Sequence, residues 1–244
     1  MSENISLTSP SSVVYNADCL EYMRTLPDNA FDIAICDPPY GIGADKNQIQ
    51  KVKSNKIQGH SKALWRDYGD AIWDSEAPEQ AFFDEVRRVS RNQIIWGANH
   101  FISRIPLDSS CWVVWDKDNG TSDFADCELA WTSFPSAVRR FKYRWAGMLQ
   151  ENMANKEERI HPTQKPVALY GWLLQTYAKV GDKIFDPMMG SGSSRIAAYK
   201  LGFDFVGCER DKGFFDKSQE RFERECKGVY RLPNGRTVKE QSLF

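Results

Sequence analysis

Short apolar runs and helical stripes alternate along this chain. Val13-Val14-Tyr15 reads as a short strand that gives way to polar Asn16-Ala17-Asp18. Cys19 to Leu26 holds one or two helical turns, stopped by Pro27-Asp28-Asn29. Phe31 to Cys36 is almost continuously apolar and predicts a buried strand running into Asp37. Pro78 suits the first turn of a helix, and Phe82, Val86 and Val89 follow at i, i+4 and i+7. Gln93 to Gly97 is the next strand, leading into Ala98-Asn99-His100. Cys111 to Asp116 is another, with a turn through Gly120. Glu128 to Phe134 fits strand or helix. Val138 to Trp145 alternates strictly, with Phe141, Tyr143 and Trp145 on one face and Arg140, Lys142 and Arg144 on the other. Pro166 opens a helix with Leu169, Leu173 and Tyr177, or Tyr170, Leu174 and Tyr177, as its buried side, and Gly181-Asp182 closes it. Lys183 to Asp186 is a strand, Ser194 to Leu201 a helix closed by Gly202, and Phe203 to Cys208 a strand ending at Glu209. Strands separated by helices predict an α/β fold, a single doubly wound and mostly parallel sheet.

The pattern lapses in four places. Residues 1–11 are polar and Ser-rich, a loose end. Residues 41–72 carry Lys46, Lys51, Lys53, Lys56, Lys62 and Arg66 against few acids, too long a stretch for an ordinary connection. The expected role is a basic insertion that follows a phosphate backbone; the plainer alternative is a solvated loop. Residues 146–162 are a polar linker or recognition segment, and 227–244 form a C-terminal tail. One domain is expected over 12–226.

Composition narrows the class. Hydrophobic residues make up 41% and charged residues 27% of 244, ordinary for a globular domain with a real core. No apolar run approaches a membrane span and the N-terminus lacks a signal-peptide pattern, so a cytoplasmic protein without membrane contact is expected. The six cysteines are scattered with no Cys-x-x-Cys, which argues against a disulfide framework and against a metal site. With a net charge of -1, any grip on nucleic acid must be local. Arg140, Lys142 and Arg144 are candidates, balanced against the reading of a merely solvated strand face.

Two constellations carry chemistry. Asp37-Pro38-Pro39-Tyr40 leaves the sheet at the carboxyl end of its strand. Two prolines stiffen the loop and remove two backbone donors. One carboxylate, carbonyl acceptors and one aromatic ring suit an amino group on a flat ring. His100, a lone histidine at a strand end, reads as structural. The second constellation is Phe185-Asp186-Pro187-Met188-Met189-Gly190-Ser191-Gly192-Ser193, a strand, a Gly-rich turn and a helix start. A dinucleotide site wants a third glycine where Arg195 stands, and Asp186 repels a phosphate. A ligand with a positive amine and a ribose fits better, with Glu209 on the ribose hydroxyls, as S-adenosylmethionine would require.

Together these residues resemble the DNA amino-methyltransferases, which methylate exocyclic nitrogens of adenine or cytosine. Asp37-Pro38-Pro39-Tyr40 matches the catalytic tetrapeptide. The 185–193 segment is similar to the cofactor loop Asp-Pro-Phe-x-Gly-Ser-Gly, with Met188 in place of Phe. His161-Pro162-Thr163-Gln164-Lys165-Pro166 is similar to the family's segment at the methionine end of the cofactor, and Asn16-Ala17-Asp18-Cys19-Leu20 to the one whose acid meets the adenine. The catalytic motif precedes the cofactor motif, the permuted order of the β-type subgroup. The resemblance implies a Rossmann-like S-adenosylmethionine-dependent methyltransferase fold. It assigns cofactor contacts to Asp18, Cys19, Thr163, Lys165, Phe185, Asp186, Pro187, Met188, Gly190, Ser191, Gly192, Ser193 and Glu209. The subgroup's usual target-recognition region is reduced here to about 150–162.

The implied reaction is direct transfer to a flipped base in double-stranded DNA. Asp37 and the Pro38 carbonyl accept the amine hydrogens, and Tyr40 stacks on the base. An aspartate in first position favours adenine N6. Cytosine N4 is the alternative, and a catalytically lapsed nucleic-acid-binding module of the same fold is another. Ring-carbon methylation is excluded, because its Pro-Cys nucleophile is missing. The β-type resemblance makes a homodimer an expectation. Gln241-Ser242-Leu243-Phe244 faintly resembles a sliding-clamp docking tail, although a frayed end is the plainer reading.

Overall fold

The computed structural model describes residues 9–43, 76–105, 107–120, 125–146, 149–231 and 237–239. Strand β1 (Ser12–Tyr15) leads through helix α1 (Cys19–Arg24) to β2 (Phe31–Cys36). Helix α2 (Gln80–Val89) runs directly into β3 (Ser90–Trp96), and β4 (Trp112–Asp116), β5 (Cys127–Thr132) and β6 (Arg139–Lys142) follow. Strands β7 (Trp145–Ala146) and β8 (Leu149–Gln150) pair with each other. Helix α3 (Val167–Tyr177), β9 (Lys183–Asp186), α4 (Ser193–Lys200), β10 (Asp204–Cys208) and α5 (Lys212–Lys227) complete the main body. A pair of strands, β11 (Val229–Arg231) and β12 (Thr237–Lys239), lies within the stretch read as a tail.

The central sheet has eight strands in the order β1-β10-β9-β2-β3-β5-β4-β6. Strands β1, β10, β9, β2 and β3 pair in parallel. Strand β5 runs antiparallel to both β3 and β4, while β6 is parallel to β4. Seven strands therefore point one way and β5 alone points back. The amino end of β5 joins the rim formed by the carboxyl ends of the other seven.

Both faces of the sheet are covered, which is why β2 is apolar almost throughout. Ala34 and Cys36 face a core shared with Phe82, Phe83, Val86 and Val89 of α2 and Met23 of α1. Ile33 and Ile35 face the opposite core, with Leu169, Leu173 and Leu174 of α3 and Ala197 and Ala198 of α4. The fold is a Rossmann-like α/β sheet wound on both sides. No helix of the described residues is long and apolar enough to cross a membrane.

Two expectations are corrected and one open reading is resolved. Pro78 and Pro166 both lie before their helices: α2 starts at Gln80, and Pro166 has extended backbone (ψ 146°) at the cap of α3. Such backbone suits an N-cap, whose own φ and ψ are not yet helical. Glu128 to Phe134 resolves as strand over Cys127–Thr132. The expected single strand 138–145 stops at Lys142. Beyond it, the Tyr143 N–H goes to the Asp116 carbonyl, and Trp145 turns inward to donate Nε1 to the Gln164 carbonyl at 2.8 Å. The alternation of faces survives the break: Phe141, Tyr143 and Trp145 all join the inner core.

Candidate active site

Parallel α/β sheets place their chemistry beyond the carboxyl ends of the strands. On that rim stand Asp37 after β2, Gly97 after β3, Asp186 at the end of β9 and Glu209 after β10. Strands β2 and β9 are neighbours, with Ile33 opposite Ile184. The tetrapeptide and the Gly-rich turn are thus side by side although far apart in sequence.

Asp37 ends a four-charge chain. Its Oδ1 accepts from the Lys165 ammonium at 2.5 Å and from the Tyr40 hydroxyl at 3.1 Å. The same ammonium lies 3.0 Å from Glu128 Oε2 and donates to the Tyr40 oxygen at 3.2 Å. Glu128 Oε1 is paired with Lys117 at 2.5 Å. Lys165 is 4% exposed, so its charge is met by these partners rather than by water. Burial opposes its protonation, but the Asp37 and Glu128 carboxylates outweigh burial and raise its pKa. Burial pushes the Asp37 carboxyl up; Lys165 works against that, and Glu128 adds to it. Glu128 is better compensated: burial is overcome by two ammonium groups, which hold it at about 2.

Tyr40 is fixed on three sides. Its hydroxyl reaches Asp37 and also Glu128 Oε2 at 3.2 Å. Its ring stacks on the His100 imidazole, with centroids 5.0 Å apart and planes 16° apart. Gly97, with φ +67°, backs it closely: a Cβ there would stand 2.1 Å from Tyr40 Cε1. His100, read from the sequence as structural, meets the site as the stacking neighbour of Tyr40.

The second half of the site is the 186–193 turn. Asp186 is 1% exposed; its Oδ1 accepts from the Met188 N–H at 3.0 Å and its Oδ2 from the Ser194 hydroxyl at 2.5 Å. Gly190 and Gly192 have φ of +54° and +74°, the left-handed region where glycine carries no penalty. The Gly190 N–H donates to Glu209 Oε2 at 2.9 Å, and Glu209 Oε1 accepts from Asp211 N–H at 2.7 Å. Ser191 and Ser193 hydroxyls are 3.1 Å apart. The buried Arg221 guanidinium reaches the Ser191 carbonyl at 3.2 Å and Ser193 Oγ at 2.9 Å. Burial pushes Asp186 up to about 7, and the nearby Asp37 and Glu209 charges add to the rise. Burial likewise raises Glu209. This half holds more negative charge than its surroundings offset, so it fits a ligand that brings a positive group. The ammonium and sulfonium of S-adenosylmethionine would meet that need, with the open glycine turn beside them.

Other predicted residues fall as follows. Asp18 caps α1, accepting from the Leu20 and Glu21 N–H groups at 2.9 and 3.1 Å. Cys19 opens that helix, buried, its thiol pushed up to about 12 by burial first and by Asp18 second. Phe185 is buried and stacks on Phe31 at 4.4 Å. Pro187 is buried, and Met188 packs on the same core. Thr163 is exposed and hydrogen-bonds His161 Nδ1. The His161 ring packs on Phe214 at 4.3 Å and faces Gly190; burial, with Lys165 adding, lowers its pKa to about 3. Lys165, expected on the cofactor, has its ammonium on Asp37. Pro38 is buried and Pro39 half-buried.

The basic strand face is already paired within the chain. Arg140 lies 3.9 Å from Asp116, and Lys142 and Arg144 each lie 3.0 Å from Asp118. Lys46, Lys51, Lys53, Lys56, Lys62 and Arg66 lie outside the described residues, as do Gln241 to Phe244. The residues that sequence reasoning missed are Glu128, Lys117, Gly97 and Arg221. Only Gly97 left a trace, as a glycine at the end of a strand.

Comparison with known proteins bears on this geometry. A DNA methylase family model matches residues 115–220, a stretch that contains the Gly-rich turn and begins after the tetrapeptide. The chain is 24% identical to the type II methyltransferase M.HinfI of Haemophilus influenzae, over all of this chain and 75% of that protein. It is 25% identical to the type II methyltransferase M2.MboI of Moraxella bovis, over 86% of each. Among solved structures, the M1.HpyAVI–SAM complex superposes with a TM-score of 0.52 at 23% identity, covering 86% of this chain and 98% of that one, and shares the fold. The chain is thus similar to DNA methylases over 115–220 and to type II methyltransferases over most of its length.

Proposed function

We propose that this chain is an S-adenosylmethionine-dependent DNA methyltransferase acting on the exocyclic N6 of adenine. The observation that carries the reading is the adjacency of β2 and β9. It sets a carboxylate acceptor, Asp37, beside an acid-rich glycine turn suited to a cationic ligand. The relatives named above, both type II methyltransferases, support methyl transfer to DNA, and the aspartate in first position favours adenine within it.

An exocyclic amine is a weak nucleophile because its lone pair is delocalised into the ring. Asp37 and the Pro38 carbonyl accept its two hydrogens and draw the lone pair out of conjugation. Tyr40 holds the ring of the flipped base by stacking. Asp186, Glu209 and the Gly190 to Ser193 backbone hold the cofactor; when bound, S-adenosylmethionine supplies an activated methyl whose bonding pair to carbon returns to sulfur. Asp37 then faces the surplus proton on nitrogen, which leaves to an acceptor oxygen or to water. Orientation of the two partners supplies much of the acceleration.

The test is incubation with labelled S-adenosylmethionine and plasmid DNA, followed by nucleoside analysis and methylation-sensitive sequencing. The expected product is N6-methyladenine at a defined sequence. N4-methylcytosine would transfer the reading to the other amine, and absence of label in DNA would end it.

A further inference from the structure

Lys165 has three N–H donors, and three acceptors surround it: Asp37 Oδ1 at 2.5 Å, Glu128 Oε2 at 3.0 Å and the Tyr40 oxygen at 3.2 Å. An ammonium has no further donor to give. Its positive charge also lies over the Tyr40 and Trp96 rings, 5.6 and 5.5 Å from their centroids. A lysine so occupied has nothing left for a carboxylate or ribose of the cofactor. Every polar contact of Asp37 among the described residues falls on Oδ1. Oδ2 takes none.

We infer that Lys165 and Glu128 are positioning residues for Asp37: the ammonium pins Oδ1, and so presents Oδ2 to the substrate amine. This rests on the methyltransferase reading above. Glu128 holds Lys165 from the far side, and Lys117 holds Glu128, so charges alternate along Lys117, Glu128, Lys165 and Asp37 and sum to zero. Four segments contribute: the loop after β2, the loop after β4, the amino end of β5 and the turn before α3. The reversed direction of β5 is what brings Glu128 to this rim. A carboxylate clamped on one oxygen loses the rotation that would spread its acceptor direction, and reaction rates are sensitive to such orientation.

The clamp is also electrostatic. The titratable groups facing Asp37 are Lys165 and Tyr170 from the α3 segment, Glu128 from β5, Asp186 from β9, and Cys36 and Tyr40 on its own strand and loop. Lys165 is the cation among them and lowers the Asp37 pKa; Glu128 raises it. Removing each therefore moves the acid limb of the rate profile in opposite directions. Lys165→Met leaves Asp37 among acids and moves the limb up. Glu128→Gln removes a competing acid and moves it down, while loosening the ammonium.

The experiment measures kcat for methyl transfer to duplex DNA against pH, and the Kd for S-adenosylmethionine, in the full chain and in Lys165→Met, Lys165→Arg and Glu128→Gln. Lys165→Met should lose about 100-fold in kcat near neutral pH, a loss of the size seen when one preorganised polar partner is removed. Its cofactor Kd should change by less than about threefold, as expected of a residue that acts on the transition state alone. Lys165→Arg should recover part of the rate. Carbon-13 titration of the Asp37 carboxyl should rise in Lys165→Met and fall in Glu128→Gln, whether or not the variants turn over. If Lys165→Met loses cofactor affinity in step with rate and its limb stays in place, Lys165 is a cofactor ligand and the inference falls. It falls equally if both variants match an active wild type. A wild type that transfers no methyl to DNA overturns the underlying reading, and the inference with it.

Discussion

Gly97 presses its bare α-carbon against the ring of Tyr40. The φ of +67° at Gly97 and the 2.1 Å that would separate an added Cβ from Tyr40 Cε1 leave room for hydrogen only. Gly97→Ala therefore displaces the ring and strains the backbone. A loss of about 1–3 kcal/mol in stability is expected from overpacking. The more telling expectation is a drop in methyl transfer with cofactor affinity retained, since the turn at Gly190 lies on another strand. Parallel assays of transfer and of cofactor binding check this; equal loss of both would place Gly97 in general folding.

Asp37→Ala should cut transfer by at least about 100-fold while the protein still binds cofactor, because the acceptor acts on the amine and not on the methyl donor. Isothermal calorimetry with S-adenosylmethionine and labelled-methyl incorporation into DNA separate the two. Retained incorporation would remove Asp37 from the mechanism.

Asp186 makes cofactor binding depend on pH. Its ordinary value of 3.8 is raised to about 7 in the folded chain, by burial first. A raised carboxyl favours the folded state fully below the unfolded value and loses that contribution as pH rises through the folded value. The protein without cofactor thus prefers Asp186 neutral. A cationic ligand prefers it ionised. Binding should tighten with rising pH by up to about tenfold per unit below about pH 7, then level off, with a proton released on binding. Calorimetry in buffers of different ionisation heat reads the proton directly. Asp186→Asn should flatten the slope, and an unchanged slope would show that another group controls it.

Arg221 ties three parts of the chain together. It is fully buried, and it reaches Glu157 at 2.8 Å and Glu225 at 2.7 Å besides the Ser191 and Ser193 contacts. Glu157 in turn accepts the Val167 N–H at the start of α3 at 3.0 Å. Arg221→Met leaves two carboxylates without their cation, at a cost of about 3–5 kcal/mol. Urea unfolding should show that loss, with weakened cofactor binding through the Ser191 to Ser193 turn. A variant as stable as the parent would mean that the carboxylates find water instead.

Much of this protein is legible in its sequence. Burial periodicity is a local property, so β2, β9 and β10, the stripe of α2 and the alternating faces around Phe141 follow from neighbouring residues alone. Asp37-Pro38-Pro39-Tyr40 and the Gly190 to Gly192 turn are equally local, since their backbone conformations are written by prolines and glycines. Where a helix begins is less so: both Pro78 and Pro166 belong before their helices. Which distant charges meet depends on how the sheet packs. Strand direction is set by pairing with neighbours, and the reversal of β5 carries Glu128 to the rim of Asp37. Lys165 lies 128 residues from Asp37 in the chain and contacts it at 2.5 Å. The basic residues Lys142 and Arg144, exposed by pattern, are matched by Asp118 across a turn. Apolar order is imposed by near neighbours through burial, whereas charge pairing is imposed by whichever side chains the folded sheet brings within a few ångströms.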